Sequence, residues 1–488
     1  MVLRSTMSFR ASVGATRRER RGSVVVVVIW SIAIAAILVA ATQVVAFRQA
    51  TMGRESLARV QARWAARAGI EETISVLEYH TQKANVDDAM ALYRDLEAVA
   101  DGTLASGEWS IRHTEDGKEK PGPQDENAKL NINLADRATL LNLPRMSFDV
   151  ADSILDWRDA DDEVQGLGAE RDYYLNRNMP YEPRNGNFRS ILELELVAGA
   201  WPEFVRGEDM NLNGRLDPNE DDGSISPPDD NADGILNGGW AAYLTASTTN
   251  STVTPTGEPK LNLREATAED MMSRLGIDDV QAKALKSYAT QSNSRLELLL
   301  MSDLATLASG STGQAGTGGS SSPAAGGRSS GRSSSGMTGG GSGNRGGSGA
   351  AGSGAETAKP LDTNQLRAIF REATLDPTGK PAPGKVNINT ASPDLVRLML
   401  GVDSYTAEAI LNYRASQPQG ITSIVDLLAS NKITPQVLTG LAGRIDVTSQ
   451  VFTITSRGRS DATGLEVEIT AVVDRSTLPA RILEYREQ

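Results

Sequence analysis

The 488-residue chain has no cysteine and only two histidines, His80 and His113. That excludes a disulfide framework, a thiolate metal site and a cysteine nucleophile. It also removes the commonest zinc ligands and leaves no obvious nucleophile–histidine pair, so the sequence reads as a non-enzyme. Aromatic residues are scarce at 5%, whereas 46 glycines are many, so part of the chain is not packed core. Basic residues are outnumbered, 49 Lys+Arg against 62 Asp+Glu, for a net charge of -13. An acidic balance argues against nonspecific nucleic-acid binding, which rests on cations neutralising phosphates. The length leaves room for two to four domains of roughly 100–200 residues each.

The charge is unevenly placed. Residues 1–22 carry Arg4, Arg10, Arg17, Arg18, Arg20 and Arg21 against Glu19, a net of +5 that leaves -18 on the remainder. Ser23–Phe47 then runs 25 residues without a charge. At about 1.5 Å per residue such a helix crosses the roughly 30 Å hydrocarbon core of a bilayer. Arginines on its amino side place that end in the cytoplasm and the bulk of the chain outside it, as a single-pass protein. A plain signal anchor, or a signal peptide cut near Ala41, accounts for the apolar run alone. Beyond Arg48, however, Leu57, Val60, Trp64, Ile70, Ile74 and Leu77 recur at mostly helical spacing and predict an amphipathic continuation.

A basic leader ending in Gly22 directly before such a helix resembles type IV prepilins and pseudopilins. The resemblance implies cleavage by a prepilin peptidase between Gly22 and Ser23. Family members usually carry glutamate at the fifth residue after the cut, and Val27 stands there. Among pseudopilins that departure is typical of the type II secretion protein K, which sits at the filament tip.

Further along, Ala89–Val99 reads as a helix and Glu108–His113 as a short strand, with His113 a solvated face residue. From Lys129 the sequence repeats. Lys129-Leu-Asn131-Ile-Asn133-Leu-Ala135 aligns with Lys260-Leu-Asn262-Leu-Arg264-Glu-Ala266 and with Lys385-Val-Asn387-Ile-Asn389-Thr-Ala391. In the same register, Ala151, Ile154, Leu155, Trp157 and Arg158 correspond to Ala407, Ile410, Leu411, Tyr413 and Arg414, and to Ala282, Leu285, Lys286, Tyr288 and Ala289. A later echo opens at Ser190, Ser294 and Ser423. Each copy therefore predicts a helical hairpin followed by another short helix.

The repeats resemble the helix-hairpin-helix module, including that of competence DNA receptors. A membrane-tethered, exported DNA-binding protein is accordingly the alternative reading. DNA-binding members have a glycine-rich turn whose amides approach a phosphate. Here Ser147, Asp278 and Asp403 hold the second glycine position, two of them carboxylates, and the third copy offers only Arg397 and Arg414. That argues against nucleic acid. The stretch from Lys129 to Phe204, with SILDWRDADDE, Tyr173-Tyr174 and Ser190–Leu196, resembles the helical insertion of protein K. In that family the insertion interrupts a small pilin-like fold. Alternating patterns at Gln450–Thr455, Leu465–Val473 and Arg481–Tyr485 predict the strands that close it.

Asp209–Glu220 satisfies the calcium-loop template D-x-[DN]-x-[DN]-G-x5-E. Asp209, Asn211 and Asn213 supply hard oxygen donors, Arg215 its carbonyl, Asp217 a water ligand and Glu220 a bidentate carboxylate around the turn at Gly214. A second loop keeps Asp229, Asn231, Asp233, Ile235 and Asn237 but has Trp240 where the bidentate acid belongs. A third acidic cluster, Asp159, Asp161, Asp162 and Glu163, lies within the protein K resemblance, whose family is described as calcium-binding; spacing alone reads it as a solvated loop. Ca2+ is thus the expected cofactor.

Residues 310–354 hold 18 glycines and 12 serines and cannot bury enough apolar surface to offset ordering entropy. They read as a tether between the second and third repeats.

The fold class expected is α+β: a transmembrane and amphipathic helix, then a small pilin-like α/β domain interrupted by a large, mostly helical insertion. The segments are 1–22 leader, 23–47 transmembrane helix, 48–125 helix and first strand, 126–207 first repeat and 208–245 acidic loops. There follow 255–308 second repeat, 309–358 linker, 360–447 third repeat and 448–488 closing strands. The resemblance implies a minor pseudopilin in the inner membrane, capping a pseudopilus tip and helping to start its assembly. Its implied partners are proteins I and J, the major pseudopilin and the prepilin peptidase. An anchored calcium-dependent adhesin is a third class, which leaves the Gly22 leader unexplained.

Overall fold

The computed structural model describes residues 21–115, 117–291, 295–302, 358–376 and 382–487. The leader to residue 20 and linker residues 303–357 lie outside the described residues. Helix α1, Arg21–Gln82, is continuous over 62 residues. From Val24 to Leu57 its side chains are exposed, and this is one helix long and apolar enough to cross a membrane.

Its second half meets a sheet; Ile70 and Leu77 face inward as the sequence predicts, but Leu57, Val60 and Trp64 do not. Ala58, Ala62, Ala65, Ala66, Ile70, Thr73 and Leu77 are buried, whereas Leu57, Val60 and Trp64 are 59%, 49% and 59% exposed. The reason is steric. The sheet comes so close that a Cβ on Gly458 would overlap the Ala62 carbonyl oxygen and the Ala66 amide. Only a small-residue stripe tolerates that approach. A short helix α2, Ala91–Ala98, follows.

Four strands come next: β1 Asp101–Leu104, β2 Gly107–Glu115, β3 Lys118–Pro121 and β4 Gln124–Asp125. His113 on β2 is half-buried, with Nδ1 2.8 Å from the Gly122 carbonyl oxygen. It is therefore not the solvated residue the alternation suggests. The insertion then contributes three parallel two-residue ladders. β5 Leu130–Asn131 pairs with β6 Leu244–Thr245, β7 Leu261–Asn262 with β8 Ala373–Thr374, and β9 Val386–Asn387 with β10 Ile445–Asp446. Last come β11 Val451–Ser460, β12 Glu466–Asp474 and β13 Arg481–Glu487. The main sheet runs β1-β2-β11-β12-β13, with β3 on β2 and β4 on β11. So strands from before and after the insertion are neighbours, antiparallel from Ser456↔Ile111 to Ser460↔Gly107.

Each repeat is closed by its ladder. The first asparagine makes an Asx turn: Asn133 N donates to Asn131 Oδ1 at 2.9 Å, Arg264 N to Asn262 Oδ1 at 3.1 Å and Asn389 N to Asn387 Oδ1 at 2.9 Å. The second asparagine grips the chain ahead of the third short element. Asn133 binds both the amide and the carbonyl of Phe188, and Asn389 both those of Ile421. Arg158 and Arg414 donate to equivalent carbonyls, Ile132 and Ala135 in one copy, Ile388 and Ala391 in the other.

The hairpin helices are Arg137–Leu140 and Phe148–Arg158, Ala268–Leu275 and Asp279–Thr290, Pro393–Leu398 and Ser404–Ala415. The third elements are 3-10 turns, Ile191–Leu196, Leu296–Leu300 and Ile424–Ser430; Ser294 lies outside the described residues. The second repeat is completed from beyond the Gly/Ser stretch. Ala358, Ile369 and Ala373 share a core with Leu263, Met271 and Leu285, and β8 is the partner of β7. The boundary set at 360 therefore falls inside the second repeat, and the Gly/Ser stretch interrupts a unit rather than joining two. Repeats one and three share a separate core.

Candidate metal centres and the junction around them

The first loop is gathered by its own turn bonds. Asp209 accepts from Asn213 N and Gly214 N, each at 3.0 Å. Asn213 N also donates to Asn211 Oδ1 at 3.0 Å and Arg215 N to Asn213 Oδ1 at 2.8 Å. Gly214 is left-handed at φ 69°, which is why glycine sits there. Asp217 Oδ2 receives the side-chain amides of Asn211 and Asn213, each at 2.9 Å. Glu220 caps the amides of Met210 and Asp217, each at 3.1 Å. Five predicted side chains thus converge, while the Arg215 side chain turns away to Glu119 at 3.5 Å. Burial pushes the Asp209 carboxyl up to about 6 and that of Glu220 up to about 7. Carboxylates withdrawn from water without a cation favour the proton. The donor set, all oxygens from Asp, Asn and Glu, fits a hard divalent ion.

The same loop docks on the closing strands. Asn213 Nδ2 donates to Glu468 Oε1 at 3.1 Å, and Thr455 Oγ1 to the Asn213 carbonyl at 3.0 Å. Arg486 reaches the carbonyl of Asn211 at 3.3 Å.

The second loop is looser. Asp229, Asn231, Asp233, Ile235 and Asn237 are all exposed. Asx turns form at Asn231 and Asp233, yet the loop amides fold onto Asp230, which accepts from Gly223, Asp222 and Ala232. Trp240 is buried and donates to the Pro144 carbonyl at 2.8 Å, so it anchors the loop to the first repeat.

In the third cluster, of the four acids the sequence marks only Asp159 joins the trio that comes together. Asp156, Asp159 and Glu170 place carboxylate oxygens within 4.8 Å of one another. Asp161, Asp162 and Glu163 are exposed. Both Glu170 oxygens, Asp159 Oδ1 and Asn185 Oδ1 are buried without a hydrogen-bond partner. Burial and then the neighbouring carboxylates push Glu170 up to about 7, and burial pushes Asp156 up to about 6. Orphaned buried oxygens of like charge fit a bound cation. Sequence spacing missed the trio because its members come from a helix end and the loop after it. The glycines that admit the fold, Gly166 and Gly168, stand against Asp152 and Asp156.

The hairpin turns of the second and third repeats are occupied by their own caps. Asp278 accepts from Gln281 N at 2.7 Å and Asp403 from Thr406 N at 2.8 Å. Amides that would face a phosphate already face carboxylates. Arg397 pairs with Glu408 at 2.9 Å, and Arg414 is held by carbonyls as above.

A second set of residues, unmarked in the sequence, knits the insertion to the sheet. Asp125 Oδ2 accepts from Tyr93 at 2.9 Å, Ser449 at 2.6 Å and Thr390 at 2.5 Å. Asn127 receives Gln450 N at 2.9 Å and donates to the Lys385 carbonyl at 3.0 Å.

Residues 117–207, which span β3, β4, this junction and the first repeat, match the family model for the type II secretion system (T2SS), protein K. That stretch is similar to the protein K family. Residues 382–446 match the helix-hairpin-helix motif, from just before β9 to the end of β10. Structural comparison aligns the chain with the crystal structure of the GspK-GspI-GspJ complex from the enterotoxigenic Escherichia coli type 2 secretion system. The match has 12% identity and a TM-score of 0.35, over 90% of this chain and 99% of that chain. No curated protein matches the sequence. The matched stretch ends at Gly207, immediately before the first calcium-type loop, which lies between it and β6.

Proposed function

We propose that the chain is a minor pseudopilin of a type II secretion system, placed at the pseudopilus tip and helping to initiate its assembly. The observation that carries this reading is that a stretch matching the protein K family model is inserted into a sheet that packs on the second half of a long, amino-terminally apolar helix. In this reading α1 anchors the chain in the inner membrane with its amino end cytoplasmic. The prepilin peptidase cuts between Gly22 and Ser23, and the partners are proteins I and J and the major pseudopilin. Val27 in place of an acid, and the bulk of three repeats, suit an end position better than the middle of a filament. Calcium is held by Asp209, Asn211, Asn213, Asp217 and Glu220, and by Asp156, Asp159 and Glu170; its role is to fix loops, where it supplies charge balance to buried carboxylates. The second loop, with its exposed donors, holds calcium more weakly if at all.

Mass spectrometry of the mature amino terminus, with a pull-down of the full chain from membranes, tests this. A terminus at Ser23 and co-purifying pseudopilins are expected. A terminus at Thr42, or capture without pseudopilins, overturns it. The match of 382–446 to the helix-hairpin-helix motif favours DNA binding as the second reading. Salt-sensitive mobility shifts of duplex DNA by the full chain would support that reading.

A further inference from the structure

The lysine that opens each repeat has a carboxylate partner in repeats one and three and none in repeat two among the described residues. Lys129 Nζ lies 3.5 Å from Glu126 Oε1. Lys385 Nζ lies 3.3 Å from Glu297 Oε1 and donates to the Ala442 carbonyl at 2.6 Å. The Lys260 amide donates to the Thr252 carbonyl at 3.0 Å, but its ammonium has no hydrogen bond or ion pair among the described residues. Instead it lines a cavity of about 500 Å³ between the pilin-like body and repeats two and three.

Arg371, Lys385, Arg475 and Arg295 also line this cavity; Arg371 pairs with Glu372 at 2.9 Å and Lys385 with Glu297, which leaves the other two. Arg475 is 7% exposed, and its guanidinium meets only main chain, Nε to the Ser449 carbonyl at 3.0 Å and Nη1 to that of Leu77 at 3.4 Å. Arg295, exposed at the rim, has no side-chain partner among the described residues. The carboxylates in the wall are already engaged: Glu297 with Lys385, Asp88 with Arg94, and Asp446 with the Val447 amide at 2.7 Å. Burial holds the Lys260 ammonium below its usual range; Asp446 and Glu372 act against that shift, and Lys385 with it. Asp125 offsets part of the Arg475 charge through space, whereas Lys260 has no carboxylate at ion-pair distance among the described residues, and a withdrawn cation without a paired counter-charge is costly. A concave site with a few convergent polar groups is where ligands bind.

We propose that this cavity binds a carboxylate, with Lys260 as its ion-pair partner and Arg475 and Arg295 adding positive field. A free small carboxylate and an acidic side chain of a partner peptide present the same chemistry. The full chain in detergent, titrated calorimetrically with citrate and with the peptide acetyl-Gly-Glu-Gly-amide, separates them. Saturable binding is expected for at least one, weakened about tenfold in Lys260→Gln, as for a lost charge-assisted contact. Lys260→Arg should restore most of it. Arg295→Gln, at an exposed position and so neutral to folding, should weaken it less. Citrate binding alone identifies a free anion, and peptide binding alone a protein-borne carboxylate. No saturable binding of either, or binding unchanged in both Lys260→Gln and Arg295→Gln, overturns the proposal.

Discussion

Arg457 on β11 reaches Asp217 in the first calcium-type loop at 3.1 Å while holding Glu468 on β12 at 2.8 Å. One guanidinium thus ties a loop of the insertion to the closing sheet, across 240 residues of chain. A cation held by this loop would therefore be coupled, through Asp217, to the docking of the insertion.

Calcium removal follows from this. Two groups of buried carboxylates, at Asp209 and Glu220 and at Asp156 and Glu170, are left facing one another without counter-charge. EDTA is expected to lower the melting temperature and calcium to restore it, by about 2.7 kcal/mol for a site at a hundred times its dissociation constant. Glu220→Gln and Glu170→Gln should each remove part of the calcium response, and the double variant most of it. Scanning calorimetry of the full chain with and without EDTA checks this. No calcium-dependent shift in the wild type would sink the calcium assignment.

The Arg457 tie makes a separate prediction. Arg457→Ala takes the guanidinium donor and its charge from the partly buried Asp217 and from Glu468, an expected cost of about 1–3 kcal/mol. Hydrogen exchange should rise in the loop around Asp209–Glu220 while the first repeat, Phe148–Arg158, stays protected. Equal loosening of both would mean the tie is not local.

Much of this architecture was legible in the sequence because it rests on local rules. The apolar run, the asparagine-turn motif and the loop template each specify backbone geometry within a dozen residues. The hairpins and closing strands follow from period alone. What was not legible came from distance. Leu57, Val60 and Trp64 looked like the inner face of α1, but close packing against Gly458 selects alanines instead. The Asp156–Asp159–Glu170 trio and the Asp125 junction are assembled from separate elements. The sharing of the second repeat across the Gly/Ser stretch depends on β7 meeting β8, more than a hundred residues away.

That sharing is testable by where damage spreads. Ile369 is fully buried among Leu263, Met271 and Leu285. Ile369→Ala should cost about 2–5 kcal/mol and raise hydrogen exchange in Ala268–Leu275 and Asp279–Thr290. Ser404–Ala415 of the third repeat should be spared. The reverse pattern would return residues 358–375 to the third repeat.

Asp125 gives a pH signature. Burial raises its carboxyl above the ordinary value against the pull of the Ser449, Thr390 and Tyr93 hydroxyls. A carboxyl raised in the folded state favours folding most when protonated, so its contribution weakens as pH rises through the unfolded and then the folded value. Asp125→Asn, which stays neutral, should therefore gain melting temperature relative to wild type as pH increases from about 3.5 to 7. A difference that stays flat, or moves the other way, would show that the hydroxyl network holds the charged form.

Gly458 sets how closely α1 and β11 approach. Its neighbours are backbone atoms of Ala62 and Ala66, which cannot swing aside as a side-chain tip would. Gly458→Ala must lift the helix from the sheet or bend the strand, at about 1–3 kcal/mol for overpacking. Because β11 also pairs with β2 and β12, the strain should spread to the rows around Ile111 and Ile469 and appear there as faster exchange. Ala62→Gly would not relieve the clash, since the obstructing atoms are main chain. A Gly458→Ala chain that melts like the wild type would show that the helix lies farther from the strand than this close contact requires.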